Sequence, residues 1–275
     1  MDSLGPHPHI IKFLGISSDQ NFGPAIVTPW MEHGTLTDII CLKPPYEYRR
    51  RLASLIKSLF LSAHFITPLQ VGQIVDGMSF LKASNIVHGD LKSSNILVAQ
   101  DGRARIADFG LSHFGEPSYP SPPTGISALR IAAATFSWAL RTPPSFDSAT
   151  HAGAGSPRWM APERLVPDQW GIISARATFQ SDIFGLGMVL YEIYSENLPY
   201  HESNDHMAMI FIVQGKRPER PILIPDSLWC ITTRCWAPNP FLRPSIDVIE
   251  RAINAPEPLL ENTNASYTRK ESFGG

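Results

Sequence analysis

The feature that most constrains this sequence is a short polar loop enclosed by two apolar segments. Asp90, Lys92 and Asn95 lie between the apolar pair Ile86–Val87 and the apolar run Ile96–Val98. Short apolar runs rich in β-branched residues predict strands, and polar residues between them predict a loop. The pattern therefore predicts a strand–loop–strand unit with three chemically capable side chains on one loop.

A second aspartate follows at close spacing. Asp101-Gly102 predicts the turn of a hairpin, which brings the chain back to Asp108. The loop and this aspartate together offer a carboxylate for a hydroxyl group (Asp90) and a cation for a phosphate (Lys92). They also offer two oxygen ligands of the kind that magnesium prefers, from Asn95 and Asp108. We expect all four side chains to lie in one small volume.

These residues, with the run Asp108-Phe109-Gly110, resemble the catalytic and metal-binding loops of protein kinases. The resemblance extends from about Pro8 to about Ala255. Four further segments resemble, in order, the hinge between two lobes, the end of the activation segment, the central buried helix and the last helices of the large lobe. They are Ala25–Gly34, Gly155–Glu163, Ser181–Gly187 and Cys235–Pro244.

The resemblance implies a role for each polar residue of the loop. Asp90 would be the catalytic base that accepts the proton of the substrate hydroxyl, and Lys92 would contact the transferred phosphate. Asn95 and Asp108 would bind Mg²⁺. The implied cofactors are ATP and Mg²⁺, and the implied partner is a protein substrate.

The nucleotide site is also implied by resemblance alone. Leu97 would form the floor under the adenine ring, and Asn95 would contact the bound nucleotide through the metal ion. The backbone groups of Trp30 and Met31 would hydrogen-bond the purine edge, and Thr28 would border the inner pocket.

Other matched residues resemble structural positions of the family. They would align the catalytic loop, orient the metal-binding aspartate or anchor the activation segment, and they are His88, Phe109, Gly110, Glu163, Asp182 and Arg243. Gly89 departs from the pattern, because many kinases carry at that position an arginine that neutralises a phosphate on the activation segment.

The family's glycine-rich loop, strand lysine and helix glutamate have no counterpart before His9. We therefore predict that residues 1–34 are the remnant of a small lobe and hinge, which a partner chain or a missing segment would complete. Residues 35–255 would form the large lobe, with insertions at about 41–66 and 115–153, and residues 256–275 a disordered tail. Without those groups, efficient autonomous catalysis is not expected of this sequence.

Periodicity predicts a mainly helical protein. Apolar residues recur at helical spacing from Leu69 to Leu81, and the segment Ile183 to Tyr194 is apolar on nearly every face, as a central buried helix would be. Another helix is expected to start at Ser227, and a strand is expected in the segment His9–Gly15. The predicted fold class is α+β, a kinase-like fold with a mostly helical large lobe and a reduced sheet.

Composition limits the other classes of function. The chain has 275 residues, of which 43% are hydrophobic, so it can bury a sizeable core. Its net charge of −2 offers no electrostatic case for nucleic acid or an anionic membrane. Three cysteines without a metal-ligand spacing indicate a reducing compartment and predict core packing of Cys230 and Cys235. We expect a cytoplasmic protein that does not contact a membrane, although residues 52–66 would also suit an interfacial helix.

Lys92 and the run Gly155–Met160 resemble the tyrosine-kinase-like group of serine/threonine kinases. The leading hypothesis is therefore transfer of the ATP γ-phosphate to Ser or Thr hydroxyl groups of proteins. Two alternatives stay open. The first is a pseudokinase or scaffold module that binds partners without catalysis, and the second is an incomplete fragment that does not fold stably alone.

Overall fold

A computed structural model describes residues 6–19, 23–41, 68–115, 156–170 and 175–254. Nearly all of the two predicted insertions and the whole predicted tail lie outside these residues. The predicted α+β class is confirmed, since helices dominate the described residues and the sheets are small. No helix in the described ranges combines the length and apolar character that crossing a membrane requires.

The strands of the described ranges form three separate two-stranded sheets. All three are antiparallel: β1 pairs with β2, β3 with β6, and β4 with β5. Their bounds are β1 Gly15–Asp19, β2 Gly23–Val27, β3 Ile86–Val87, β4 Ile96–Val98, β5 Ala104–Ile106 and β6 His113–Phe114. The predicted turn at Asp101-Gly102 connects β4 to β5, and Gly102 has the positive φ of 78° that such a turn favours in glycine.

The α-helices of the described ranges carry most of the core. Their bounds are α1 Leu36–Cys41, α2 Pro68–Ala83, α3 Pro162–Leu165, α4 Phe179–Ser195, α5 Asp205–Val213, α6 Asp226–Cys235 and α7 Ile246–Asn254. Short 3₁₀ helices lie at Ser93–Asn95, Pro157–Trp159, Pro167–Trp170 and Pro240–Leu242. Apolar side chains of α2, α4, α6 and α7 meet those of the β4–β5 hairpin in one cluster.

Helix α4 is the centre of the molecule, as its apolar sequence predicts. It starts with a capping box, in which Thr178 Oγ1 accepts from the Ser181 N–H and Ser181 Oγ accepts from the Thr178 N–H. Most of its residues are buried. A Cβ at Gly185 would lie 2.9 Å from the Leu91 carbonyl oxygen, so glycine lets the helix approach the polar loop closely. Helix α4 therefore packs directly against the polar loop.

Several local predictions need correction. Strand β1 begins only at Gly15, because residues 9–14 are held instead by single contacts such as the Ile11 N–H to the Ile106 carbonyl. Cys235 is buried as predicted, but Cys230 is exposed, since it lies on the outer face of α6. Helix α6 also starts one residue before the predicted Ser227.

One apolar surface is exposed on the β1–β2 hairpin. Ile16 and Ile26 are cross-strand neighbours, and they are 68% and 70% exposed. Lys12, which precedes this hairpin, is exposed as well.

Candidate active site

The polar loop lies between β3 and β4, and two antiparallel pairings bring the later aspartate beside it. Strand β4 pairs with β5, and the Ala107 N–H donates to the Asn95 carbonyl oxygen at 2.8 Å. Asp108 therefore follows a residue that is bonded to the loop itself. The local sequence of short strands and one tight turn is sufficient to produce this arrangement.

Asp90 lies at the centre of a hydrogen-bond network. Its Oδ2 accepts from Lys92 Nζ at 2.7 Å and from Asn95 Nδ2 at 3.2 Å, and its Oδ1 accepts from the Ser156 N–H at 3.0 Å. Asn95 Nδ2 also donates to the Asp90 carbonyl oxygen. Burial raises the pKa of the Asp90 carboxyl, but the Lys92 ammonium and Ser156 outweigh that effect and lower the pKa below its usual value. Asp90 is thus an ionised, oriented carboxylate near neutral pH.

Ser156 was not singled out as a site residue by sequence reasoning. Lys92 Nζ donates to Ser156 Oγ at 2.5 Å, so the ammonium bridges Asp90 and Ser156. The backbone N–H of the same serine contacts Asp90. The two residues are 66 positions apart, and no local pattern of residue types marks Ser156. Only the packing of this segment against the loop reveals it.

Asp182, the predicted structural carboxylate of α4, lies directly under the loop. Its Oδ2 accepts from the His88 N–H at 2.7 Å, and its Oδ1 accepts from the Gly89 N–H at 2.9 Å. Burial raises the pKa of Asp182, while the backbone N–H groups of Gly89 and His88 favour the charged form. This carboxylate thus fixes the backbone just before Asp90.

His88 connects the loop to the segment with the second aspartate. Its Nε2 contacts the Ala107 carbonyl oxygen at 2.9 Å, and its Nδ1 accepts from the Asp90 N–H at 3.3 Å. These partners fit the tautomer that carries its proton on Nε2. The ring also packs edge-on against Phe109, with centroids 5.2 Å apart.

Asp108 has an unusual backbone. Its φ is 59°, in the left-handed region that side chains other than glycine, asparagine and aspartate seldom adopt. Its Oδ1 accepts from the Gly110 N–H at 3.3 Å, and the side chain is exposed.

The donor set of Asn95 and Asp108 fits the magnesium that the sequence implies. One amide and one carboxylate oxygen suit Mg²⁺, which usually binds one or two protein ligands together with phosphates and waters. Within the described ranges, no group of three or more His, Cys, Asp or Glu side chains could hold a metal ion alone. The residues thus suit a metal that arrives with a phosphate ligand.

The predicted nucleotide residues are only partly brought together. Met31 is buried in a small cluster with Ile11 and Ala107, against which Leu97 packs. Trp30 is 84% exposed, and together with Met31 it lines an open cleft of about 530 Å³. Thr28 is exposed just after β2 and does not line that cleft.

Glu163 and Arg243, the predicted anchoring pair, form a bidentate contact with N–O distances of 2.6 and 2.7 Å. Their side chains are 2% and 0% exposed. The remaining N–H groups of Arg243 donate to the backbone oxygens of Ala237, Gln180 and Pro238. Every donor of this guanidinium is thus satisfied.

A second buried carboxylate, Glu192 of α4, was also missed. Ser93 Oγ donates to its Oε1 and Trp159 Nε1 donates to its Oε2, both at 2.7 Å. Ser93 Oγ also contacts Thr37 Oγ1 on α1 at 2.6 Å. The signal available in the sequence was a carboxylate within the apolar stretch Ile183–Tyr194 of this helix, which requires a polar partner when buried.

Glu192 should make stability depend on pH. Burial raises the pKa of Glu192 from 4.5 to about 7, although the bonds from Ser93 and Trp159 lower it. The Glu192 carboxyl therefore stays protonated in the folded protein over a pH range in which it is ionised in the unfolded chain. From about pH 4.5 to about pH 7, we expect Glu192 to lower the free energy of unfolding by about 3 kcal/mol as pH rises, with no further change above that range.

Urea unfolding at several pH values would measure this effect. In Glu192→Gln, the amide oxygen can accept from Trp159 and the amide N–H can donate to Ser93, so we expect folding with that part of the pH dependence removed. Glu219→Gln, at an exposed residue, is the matched control and should retain the dependence. An unchanged slope in Glu192→Gln would contradict the assignment.

Comparison with known proteins agrees with this geometry. The family model of the protein kinase domain matches residues 1–255. Fibroblast growth factor receptor 1 of Dugesia japonica is 25% identical over 99% of this chain and 28% of its own length. A putative tyrosine-protein kinase of Caenorhabditis elegans is 24% identical over 100% of this chain and 28% of its own length.

NT-3 growth factor receptor of Rattus norvegicus is 28% identical over 90% of this chain and 30% of its own length. The chain thus spans less than a third of the length of these relatives. The match covers the polar loop, the α4 helix and the Glu163–Arg243 contact alike.

Proposed function

Because this chain belongs to the protein kinase domain family, we propose that it transfers the γ-phosphoryl group of ATP to a hydroxyl group of a protein substrate. The observation that carries this proposal is the network around Asp90, in which one ionised carboxylate, one ammonium and one amide converge. Phosphoryl transfer needs positioned charges more than covalent chemistry, and these groups supply them.

In the proposed reaction, Asp90 accepts the proton of the substrate hydroxyl as its oxygen attacks the γ-phosphorus. The bond from that phosphorus to the bridging oxygen breaks, and ADP leaves. Lys92 offsets the negative charge on the transferred group, since its ammonium is 2.7 Å from Asp90 Oδ2. Both side chains are largely shielded, at 12% and 19% exposed, which strengthens these interactions.

Asn95 and Asp108 would hold Mg²⁺, which, when bound with ATP, neutralises charge on its phosphates. Leu97, which packs against the cluster that contains Met31, would form the floor under the adenine ring, and the backbone of Met31 would hydrogen-bond the purine edge. Trp30 would contribute backbone groups to the purine edge, and Thr28 would border the inner end of the nucleotide site. His88, Phe109 and Gly110 would orient Asp108.

For the acceptor we propose Ser or Thr rather than Tyr. The support is Lys92, two residues after the proposed base, and its contact with Ser156. The relatives compared include a protein named as a tyrosine kinase, so the acceptor is the part of the proposal most in need of a test.

Three peptide libraries that differ only in carrying Ser, Thr or Tyr as the single acceptor would provide that test. We expect phosphate incorporation at least about tenfold faster into the Ser or Thr library than into the Tyr library, a difference of roughly 1.4 kcal/mol in barrier. Asp90→Asn serves as the control for contaminating kinases. A preference for the Tyr library would contradict the proposed acceptor but not phosphoryl transfer.

We also propose an intracellular location, since ATP is the implied co-substrate and the thiols of Cys230 and Cys235 are free. The alternative of a non-catalytic scaffold module predicts a folded protein that transfers no phosphate to any of the three libraries.

A further inference from the structure

A half-buried cation outside the predicted site contacts the catalytic loop. Arg164, in the last turn of α3, donates from Nη1 to the Gly89 carbonyl oxygen at 2.8 Å. Its Nε donates to the Ala175 carbonyl oxygen at 3.2 Å. The guanidinium thus connects the polar loop to α3 and to the segment at Ala175, although Arg164 and Gly89 are 75 residues apart.

The carbonyl that Arg164 contacts belongs to the peptide bond between Gly89 and Asp90. The N–H of Gly89 donates to Asp182, so charged side chains hold the glycine on both of its sides. Gly89 has a φ of 85°, and a Cβ there would lie 2.8 Å from the Leu111 carbonyl oxygen. Glycine suits this conformation, and it offers little resistance of its own to rotation of the backbone.

The local charges favour this placement of Arg164. Burial lowers the pKa of the guanidinium, but the carboxylates of Asp182, Asp90 and Glu163 favour its charged form. Arg164, Gly89, Asp90 and Asp182 also line one small cavity of about 10 Å³. The cation therefore shares a confined space with the catalytic carboxylate, where water screens charges poorly.

We propose that Arg164 is a positioning residue for the catalytic base. It holds the Gly89–Asp90 peptide plane, so that the Asp90 carboxylate keeps its orientation towards Lys92 and the substrate hydroxyl. This inference rests on the proposed phosphoryl transfer, because it assigns Arg164 a part in the same site. Asp182 supports the N–H side of the glycine, and Arg164 supports the carbonyl side.

Kinetics on Arg164→Met would test the proposal. We expect kcat to fall by about tenfold to hundredfold, the effect of losing a hydrogen bond to a charged group, while KM for ATP changes less than about twofold. Arg164→Lys retains the charge and one donor, and it should recover part of the loss. Arg103→Met removes an arginine from an exposed pair with Asp101 and should leave both constants unchanged.

Amide hydrogen exchange of the loop gives a readout that does not require activity. We expect faster exchange for residues 88–91 in Arg164→Met than in the natural chain or in Arg103→Met. If Arg164→Met shows no cooperative unfolding transition, and so is not folded, the same kinetic and exchange measurements on Arg164→Lys decide whether Arg164 positions the loop. A smaller loss of kcat is expected for that variant.

Unchanged kcat and unchanged loop exchange in the variant would overturn the positioning role. A rise in KM for ATP without a change in kcat would also overturn it, because that pattern indicates a role in nucleotide binding. A natural chain that transfers no phosphate would instead contradict the proposed function, and loop exchange would still decide whether Arg164 holds the Gly89–Asp90 peptide.

Discussion

Asp90→Asn is expected to lower kcat at least about a hundredfold, within the range that a lost general base usually costs. The amide retains the shape of the carboxylate but cannot accept the proton of the substrate hydroxyl. ATP affinity should change little, since Asp90 is not one of the two proposed magnesium ligands. Steady-state phosphate transfer and equilibrium binding of Mg²⁺–ATP would measure the two effects separately.

The matched control is Asp101→Asn. Asp101 lies in the β4–β5 turn with its side chain 51% exposed, so its replacement should leave kcat unchanged. The thermal unfolding midpoint of each variant shows whether a loss of rate reflects a loss of fold. A kcat in Asp90→Asn within about threefold of the natural chain would remove Asp90 from the role of base.

Arg243→Met is expected to lower the free energy of unfolding by about 3–5 kcal/mol. The substitution leaves the Glu163 carboxylate buried at 2% exposure without its cation, and it also removes donors from three backbone oxygens. Because a domain is usually stable by only about 5–15 kcal/mol, this loss should be visible as partial unfolding at 37 °C. Urea unfolding monitored by tryptophan fluorescence would measure it.

Lys82→Met is the matched control for the lost ion pair. Lys82 and Asp247 also form a contact of 2.9 Å, but their side chains are 42% and 65% exposed, so a much smaller loss of stability is expected. The double variant Glu163→Leu with Arg243→Met removes both charges and should lose less than the sum of the single changes. A loss under about 1 kcal/mol in Arg243→Met would show that the buried pair does not anchor the segment.

Some of the site was predictable because its information is local. Asp90, Lys92 and Asn95 lie within six residues of each other, and one hairpin returns the chain to Asp108. Strand and turn propensities act over such short distances, so the pattern predicts the arrangement without knowledge of the rest of the chain. Helices α2 and α4 were predictable in the same way, from apolar residues repeated over several turns.

Local patterns failed where several preferences compete. Helix α5 was not predicted, and Asn204 caps it by accepting from the Met207 N–H. Cys230 was expected in the core, and the position of α6 against its neighbours turned it outwards. In each case tertiary packing or a single cap decided an outcome that residue type alone left open.

The order of residues alone was enough to predict the family, the α+β class and the closely spaced residues proposed for catalysis. Tertiary structure alone decided that Ser156 contacts Asp90 and Lys92, that Arg164 holds the carbonyl of Gly89, and that Glu192 is buried under Ser93 and Trp159. The physical reason is distance along the chain. Contacts between residues 33 to 99 positions apart depend on how whole helices pack around α4, and no short-range propensity encodes that packing.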